Sequence, residues 1–308
     1  MSDFKFNVIN VLLIDPDIGS RDSLKMILRN EGFRSIKVGT SVSDIHTYLE
    51  HGAFDLLITG ADLPDGSACP VIKAIRHHEI GSNPFLPVIA VTGKPSTQQV
   101  RDVVDSGADD LLIKPLSMAA LLNRINSLVN ARKPFVVTCD YIGPDRRKST
   151  ERPTNVPLLE APNTLAAKAK GEPVSKIEDQ IQKMIMELNE QKLDRHITQF
   201  HWLADALKGE FAKQGASETF TTHLNRLEYV AQDAARRVEG TAHSHIADLC
   251  KSMIELSSRL KQKSEGPDAA RTVPRDLAVV AHMASAIQAG FTTGSESAAR
   301  EIMNELAL

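Results

Sequence analysis

Between Val8 and Ala131, short apolar runs alternate with longer segments whose apolar residues recur at helical steps. The runs occupy 11–14, 35–38, 56–59, 88–91 and 111–113. The amphipathic segments between and after them occupy 20–30, 41–50, 71–77, 96–106 and 117–129. This alternation predicts five β/α units, that is, an α/β fold with a doubly wound parallel sheet covered by helices on both faces. The first and third runs are nearly all apolar, as strands buried on both faces must be.

Over 132–173 no periodicity persists, and prolines, glycines and mixed charges recur, so this stretch reads as an ordered or semi-ordered linker between 1–131 and 174–308. From Val174 the pattern becomes helical almost throughout. Ile177, Ile181, Met184 and Leu188 form a seam that slips phase near Gln191. It resumes with Leu193, Ile197, Phe200, Ala204, Leu207 and Phe211, which predicts a stutter or kink. A second seam runs through Phe220, Leu224, Leu227, Ala231, Ala234 and Val238, and a third through Ile246, Leu249, Met253, Leu256 and Leu260. Gly240 either divides them into two helices or softens one. After Gly266-Pro267, Pro274 suits a first helical turn ahead of Leu277, Val280, Ala284 and Ile287, and a closing helix is expected over 296–306. The sum is an all-α bundle of four or five helices, complete alone or with a second copy.

Composition narrows the function classes. The 308 residues carry 36 basic and 39 acidic side chains, a formal charge of −3, so the global basic field of a nucleic-acid binder is missing. No apolar stretch reaches the roughly 18 residues of a membrane helix. The N-terminus has no signal-peptide pattern. Cys69, Cys139 and Cys250 are widely spaced and odd in number, which suits packing in a reducing cytoplasm better than a disulfide framework. The expectation is a cytoplasmic protein with protein partners, without nucleic acid, membrane or cofactor.

Four motifs carry a resemblance that none would carry alone. Leu12-Leu13-Ile14-Asp15-Pro16-Asp17 is followed by Arg21, and Asp55-Leu56-Leu57-Ile58 by Leu63-Pro64-Asp65-Gly66. Val88-Ile89-Ala90-Val91-Thr92 and Gly107-Ala108-Asp109-Asp110-Leu111-Leu112-Ile113-Lys114-Pro115 complete the set. In this order and spacing, residues 8–131 resemble the CheY-like receiver domain of two-component response regulators. The resemblance implies a phosphoacceptor aspartate at the end of the third strand, with acidic residues holding Mg²⁺ beside it and a threonine and lysine gripping the phosphoryl oxygens. It puts the acceptor four residues before Pro64, which is Gly60. It also puts a second metal-binding acid at Pro16 and the switch aromatic of the fifth strand at Leu111. The pocket left is Asp15, Asp17, Asp62, Thr92 and Lys114, with no phosphoacceptor and no metal. Lys114 is expected to pair with Asp15, and Pro115 to keep a cis turn.

The second half offers weaker chemistry. Ala204-Asp205-Ala206-Leu207-Lys208-Gly209, with Gly215-Ala216 beyond it, is similar to the histidine-phosphotransfer signature, but aspartate stands where the histidine would be. Descent from such a bundle and chance both remain open. His201, His223, His243, His245 and His282 fall on expected helices as surface or interface residues, and His243 and His245, two apart, do not share a helix face. Trp202 reads as an interface or core anchor. Arg146, Arg147 and Lys148 read as a solvated turn after Gly143-Pro144-Asp145. The functional expectation is a non-enzymatic, phosphorylation-independent signalling adaptor that self-associates, plausibly as a homodimer. Its rivals are a phosphorelay component accepting phosphate at Asp62 or a helical histidine, and a transcriptional regulator with a helical DNA-binding output.

Overall fold

The five apolar runs become five parallel strands, β1 (Asn10–Ile14), β2 (Ser35–Gly39), β3 (Leu56–Gly60), β6 (Val88–Thr92) and β7 (Asp110–Ile113), in the order β2-β1-β3-β6-β7. A two-stranded ribbon, β4 (Asp62–Leu63) with β5 (Gly66–Ser67), follows β3. The computed structural model describes residues 4–147, 157–294, 297 and 301. Its contacts divide the chain into two compact units, Met1–Leu188 and Asn189–Leu308.

Strand alternation sorts the apolar residues onto two faces. Val11, Leu13, Leu56, Ile58, Ile89 and Val91 form one core with residues of α1 (Ile18–Asn30) and α5 (Met118–Ala131). Leu12, Ile14, Leu57, Val88 and Ala90 form the other, with residues of α2 (Val42–His51), α3 (Cys69–Arg76) and α4 (Thr97–Asp105). A one-residue slip in any central strand would exchange the two sets. Ser41, Ser96 and Ser117, which begin the expected helical segments, are the caps just ahead of α2, α4 and α5, and Ser41 and Ser96 form full capping boxes with Asp44 and Gln99.

The described residues of the stretch expected as a linker, 132–147 and 157–173, are instead built into the first unit. Phe135–Val137, Ile142–Pro144 and Leu158–Leu159 form a three-stranded antiparallel sheet (β8, β9, β10), and α6 (Thr164–Lys170) follows it. Leu165 and Ala169 enter the α1/α5 core, while Phe135, Val137, Ile142 and Leu159 make a further core with Phe85. Its apolar residues come in pieces of two or three, too short to show a period.

Two guanidiniums anchor this addition. Asp109, beside the start of β7, accepts from Arg76 Nη2 (3.0 Å), Arg132 Nε (2.7 Å) and Val88 N (2.8 Å). Arg76, fully buried, also reaches the carbonyls of Gly107, Pro84 and Leu86. Arg132 bonds the carbonyls of Phe85 and Pro162 and lies 4.9 Å from the centre of the Phe135 ring. At Gly143 a Cβ would fall 2.7 Å from Gly107 Cα, so these two backbones need glycine to meet.

No break divides the chain near Gln191: α7 (Val174–Gln214) is continuous over 41 residues. The phase slip marks a change of core instead. Ile177, Ile181, Ile185 and Leu188 pack with Phe85 and Phe135, whereas Leu193, Ile197, Phe200 and Leu207 pack with the helices that follow. The boundary expected at 173/174 therefore lies inside α7, at Leu188/Asn189.

The second unit is a bundle of that later part of α7 with α8 (Glu218–Val238), α9 (His245–Ser264) and α10 (Ala269–Thr293). Gly240, at φ +72°, lies between α8 and α9 and so separates two helices. Pro274 is not in a first turn, because α10 begins five residues earlier, at Ala269. The closing helix expected over 296–306 lies outside the described residues, apart from residues 297 and 301.

Candidate functional site

The C-terminal ends of β1, β3, β6 and β7 meet at one edge of the sheet, where open α/β folds place their ligands. Gly60, the last residue of β3, is buried and pairs with Val91. A Cβ there would sit 3.3 Å from Leu63 Cδ2 and 3.6 Å from Pro16 Cδ, so a small side chain fits after a slight shift of the leucine. Thr59 Oγ1 donates to the Gly60 carbonyl at 3.1 Å.

Asp15 is buried, and its carboxylate is fully engaged. Oδ2 accepts from Lys114 Nζ at 2.6 Å and Ser20 Oγ at 2.8 Å, and Oδ1 accepts from Asp17 N at 3.0 Å. Arg21 Nη1 donates to the Asp15 carbonyl at 2.7 Å. Lys114 comes from the residue just after β7, ahead of a cis peptide to Pro115, and its backbone N–H donates to Thr92 O at 2.7 Å. Asp15, Thr92 and Lys114 are thus gathered beside Gly60 and Pro16. The other two acids stay at the rim. Asp17 caps α1 through Ser20 N at 2.6 Å, and Asp62, exposed on β4, accepts from Gln99 Nε2 at 3.3 Å.

A hard divalent cation wants several carboxylate oxygens. Asp15 alone supplies them from the strand ends, and an ammonium already occupies its Oδ2, while Pro16 and Gly60 offer only backbone carbonyls. This donor set does not fit such an ion. Leu111, where the resemblance puts a switch aromatic, is partly buried against the α2/α3 core, and two residues on Ile113 is 55% exposed.

In the second unit, Asp205 and Gly209 are exposed along α7, and Trp202 is 57% exposed with its ring edge-on to His223 (centroids 5.3 Å apart). Trp202 is therefore no core anchor. His201 bonds Gln288 at 2.8 Å, and His282 bonds the Ala278 carbonyl one turn back. The polar centre that the sequence reasoning missed is His196 with Asp233 and Arg237. Asp233 Oδ2 lies 2.7 Å from His196 Nε2 and 2.9 Å from Arg237 Nε. Burial alone would raise the Asp233 carboxyl, but the His196 hydrogen bond and the Arg237 charge hold it well below the usual carboxylate range. Burial lowers the His196 imidazole. Polar residues at seam positions, next to Ile197 and Ala234, were the available signal.

The basic patch also needs correction. Arg146 is no solvated turn residue, since its guanidinium donates to the carbonyls of Ala108 and Asp109. Arg147 pairs with Asp145 at 2.8 Å, and Lys148 lies outside the described residues. The three cysteines are free, and burial pushes the Cys250 thiol up to about 12.

The family model described as "Response regulator receiver domain" matches residues 11–126. The swarming motility regulation protein RssB of Serratia marcescens is 32% identical over 124 residues, covering 40% of this chain and 54% of that protein. The sensory transduction protein RegX3 of Mycolicibacterium smegmatis is 31% identical over 120 residues, 39% of this chain and 50% of that protein. The chain thus spans about half the length of the curated relatives it matches. A two-component response regulator from Clostridium difficile, known from a crystal structure, is 25% identical with a TM-score of 0.37, over 40% of this chain and 97% of its own. Residues 11–126 form a receiver domain of the two-component response regulator family.

Proposed function

We propose that the chain is an atypical response regulator, a signalling adaptor that works without phosphorylation through protein–protein contacts of its receiver and its helical bundle. The observation that carries this reading is the strand-end pocket, where Gly60 stands at the acceptor position and Lys114 sits 2.6 Å from the one remaining acid, Asp15. A switch driven by charge needs a group that takes up charge and an element the charge can bias. Here the ammonium already balances the carboxylate. Protein partners and a homodimer are the natural occupants of the exposed apolar side chains Ile113 and Met118 at β7 and α5.

Incubation with acetyl phosphate and Mg²⁺, followed by intact-mass measurement, tests the reading. The expected result is no change in mass. A stoichiometric gain of about 80 Da, one phosphoryl group, overturns it, and loss of that gain in Asp62→Asn would place the phosphate on the rim acid.

A further inference from the structure

In the second unit, α7 carries a glycine that nothing in the chain requires. Gly209 has no left-handed backbone, and a Cβ built there would meet nothing within 4 Å. Glycine within a helix is weaker than alanine, so a glycine this far from any neighbour points to a close approach from outside the chain. It stands at the centre of an exposed face. Asp205 and Lys213, about one turn to either side, are exposed, and neither side chain makes a hydrogen bond or ion pair among the described residues. Trp202, on the same face, is 57% exposed although its ring edge meets His223. This face is turned away from the buried Phe200 and Leu207, which join the bundle core.

The order of these residues is its own complement. When a second α7 lies antiparallel across the first, with the two-fold axis at Gly209, each residue faces the one equally far beyond the axis. Asp205 then faces Lys213 of the second copy and Lys213 faces its Asp205, two opposite pairs about 6 Å from the axis. At the axis the two glycines let the backbones close up. Trp202, about 10 Å out, comes over the turn after α7, where Gly215 (φ +67°) also has nothing within 4 Å of its Cβ position and Ala216 is exposed. A uniformly acidic or basic partner would set one of the two charges against its like. The aromatic ring supplies contact area, and the pairs fix the register.

We propose that this face of α7 is a self-association surface, where the α7 helices of two copies cross antiparallel at Gly209, joined by reciprocal Asp205–Lys213 pairs, with Trp202 covering the second copy's turn. This gives the string 204–209, similar to a phosphotransfer signature, a use that needs no phosphate. The contact lies within the second unit and is separate from Ile113 and Met118. It does not rest on the adaptor reading, since mass measurement tests that reading and sedimentation tests this one.

Sedimentation equilibrium of the full chain is the test. The expected result is a monomer–dimer equilibrium in the micromolar range that weakens with added salt, as exposed charge pairs do. Emission from Trp202, the one tryptophan of the chain, should shift to the blue as the dimer forms. Gly209→Gln adds bulk without apolar surface and favours the helix. It is expected to weaken dimerisation by about tenfold or more, while helicity by circular dichroism holds. Asp205→Lys turns both pairs into like charges and should weaken it about tenfold, and adding Lys213→Asp should restore it. A chain that stays monomeric to near-millimolar concentration would sink the proposal. So would a dimer untouched by Gly209→Gln, or a charge-swapped double variant no better than Asp205→Lys alone.

Discussion

Asp15 at the end of β1 and Asp109 at the start of β7 are both buried aspartates facing cations, yet they belong to different kinds of site. Asp15 meets a lysine whose side chain is 29% exposed. Asp109 meets two arginines, 0% and 6% exposed, whose remaining donors are spread over five backbone carbonyls. Lysine is a point charge on a flexible stem, whereas a guanidinium fixes several acceptors at once in a plane. At the C-terminal ends of the strands a single lysine serves the buried acid. At the opposite end the appended segment 132–147 has been locked on.

Mutating the two ends should separate them sharply. Asp109→Ala leaves two guanidiniums facing each other without their carboxylate, and the expected loss is about 3–5 kcal/mol of stability, measured by urea unfolding followed by circular dichroism. A loss under about 1 kcal/mol, as for an ordinary surface pair, would erase the contrast. Gly107→Ala combines a left-handed backbone (φ +85°) with a Cβ driven into the Ile142 carbonyl. The expected cost is about 1–3 kcal/mol, with new proteolytic cleavage inside 132–147. A resistant segment would mean that the clasp holds without this close approach. Lys114→Met should matter least, about 1–2 kcal/mol, because Asp15 keeps its hydrogen bonds from Ser20 Oγ and Asp17 N. A loss matching that of Asp109→Ala would make Asp15–Lys114 a structural hub too.

How much was legible follows from length scales. The strands of the receiver announced themselves because each is an apolar run bounded by helical segments, and Pro64, four residues after Gly60, set the register of the strand-end pocket. The sheet at 135–159 did not, since three strands of two or three residues leave no period to read. Arg146 looked like part of a solvated charge run because its acceptors are backbone carbonyls 37 and 38 residues away. Leu188 and Gln191 showed a slip of phase, and the expected kink was a natural inference from it. A continuous helix that changes the core it serves produces the same pattern.

The sequence by itself determined the five β/α units, the glycine that ends the third of their strands, and the helical character beyond Val174, because these depend on local periodicity and on residue identity at fixed spacings. Only the tertiary structure decided that Arg76 and Arg132 converge on Asp109, that His196 meets Asp233, and that 132–147 and 157–173 belong to the first unit. Those outcomes depend on which distant groups must satisfy one another's charge and hydrogen bonds once water is excluded, and sequence spacing carries no record of that.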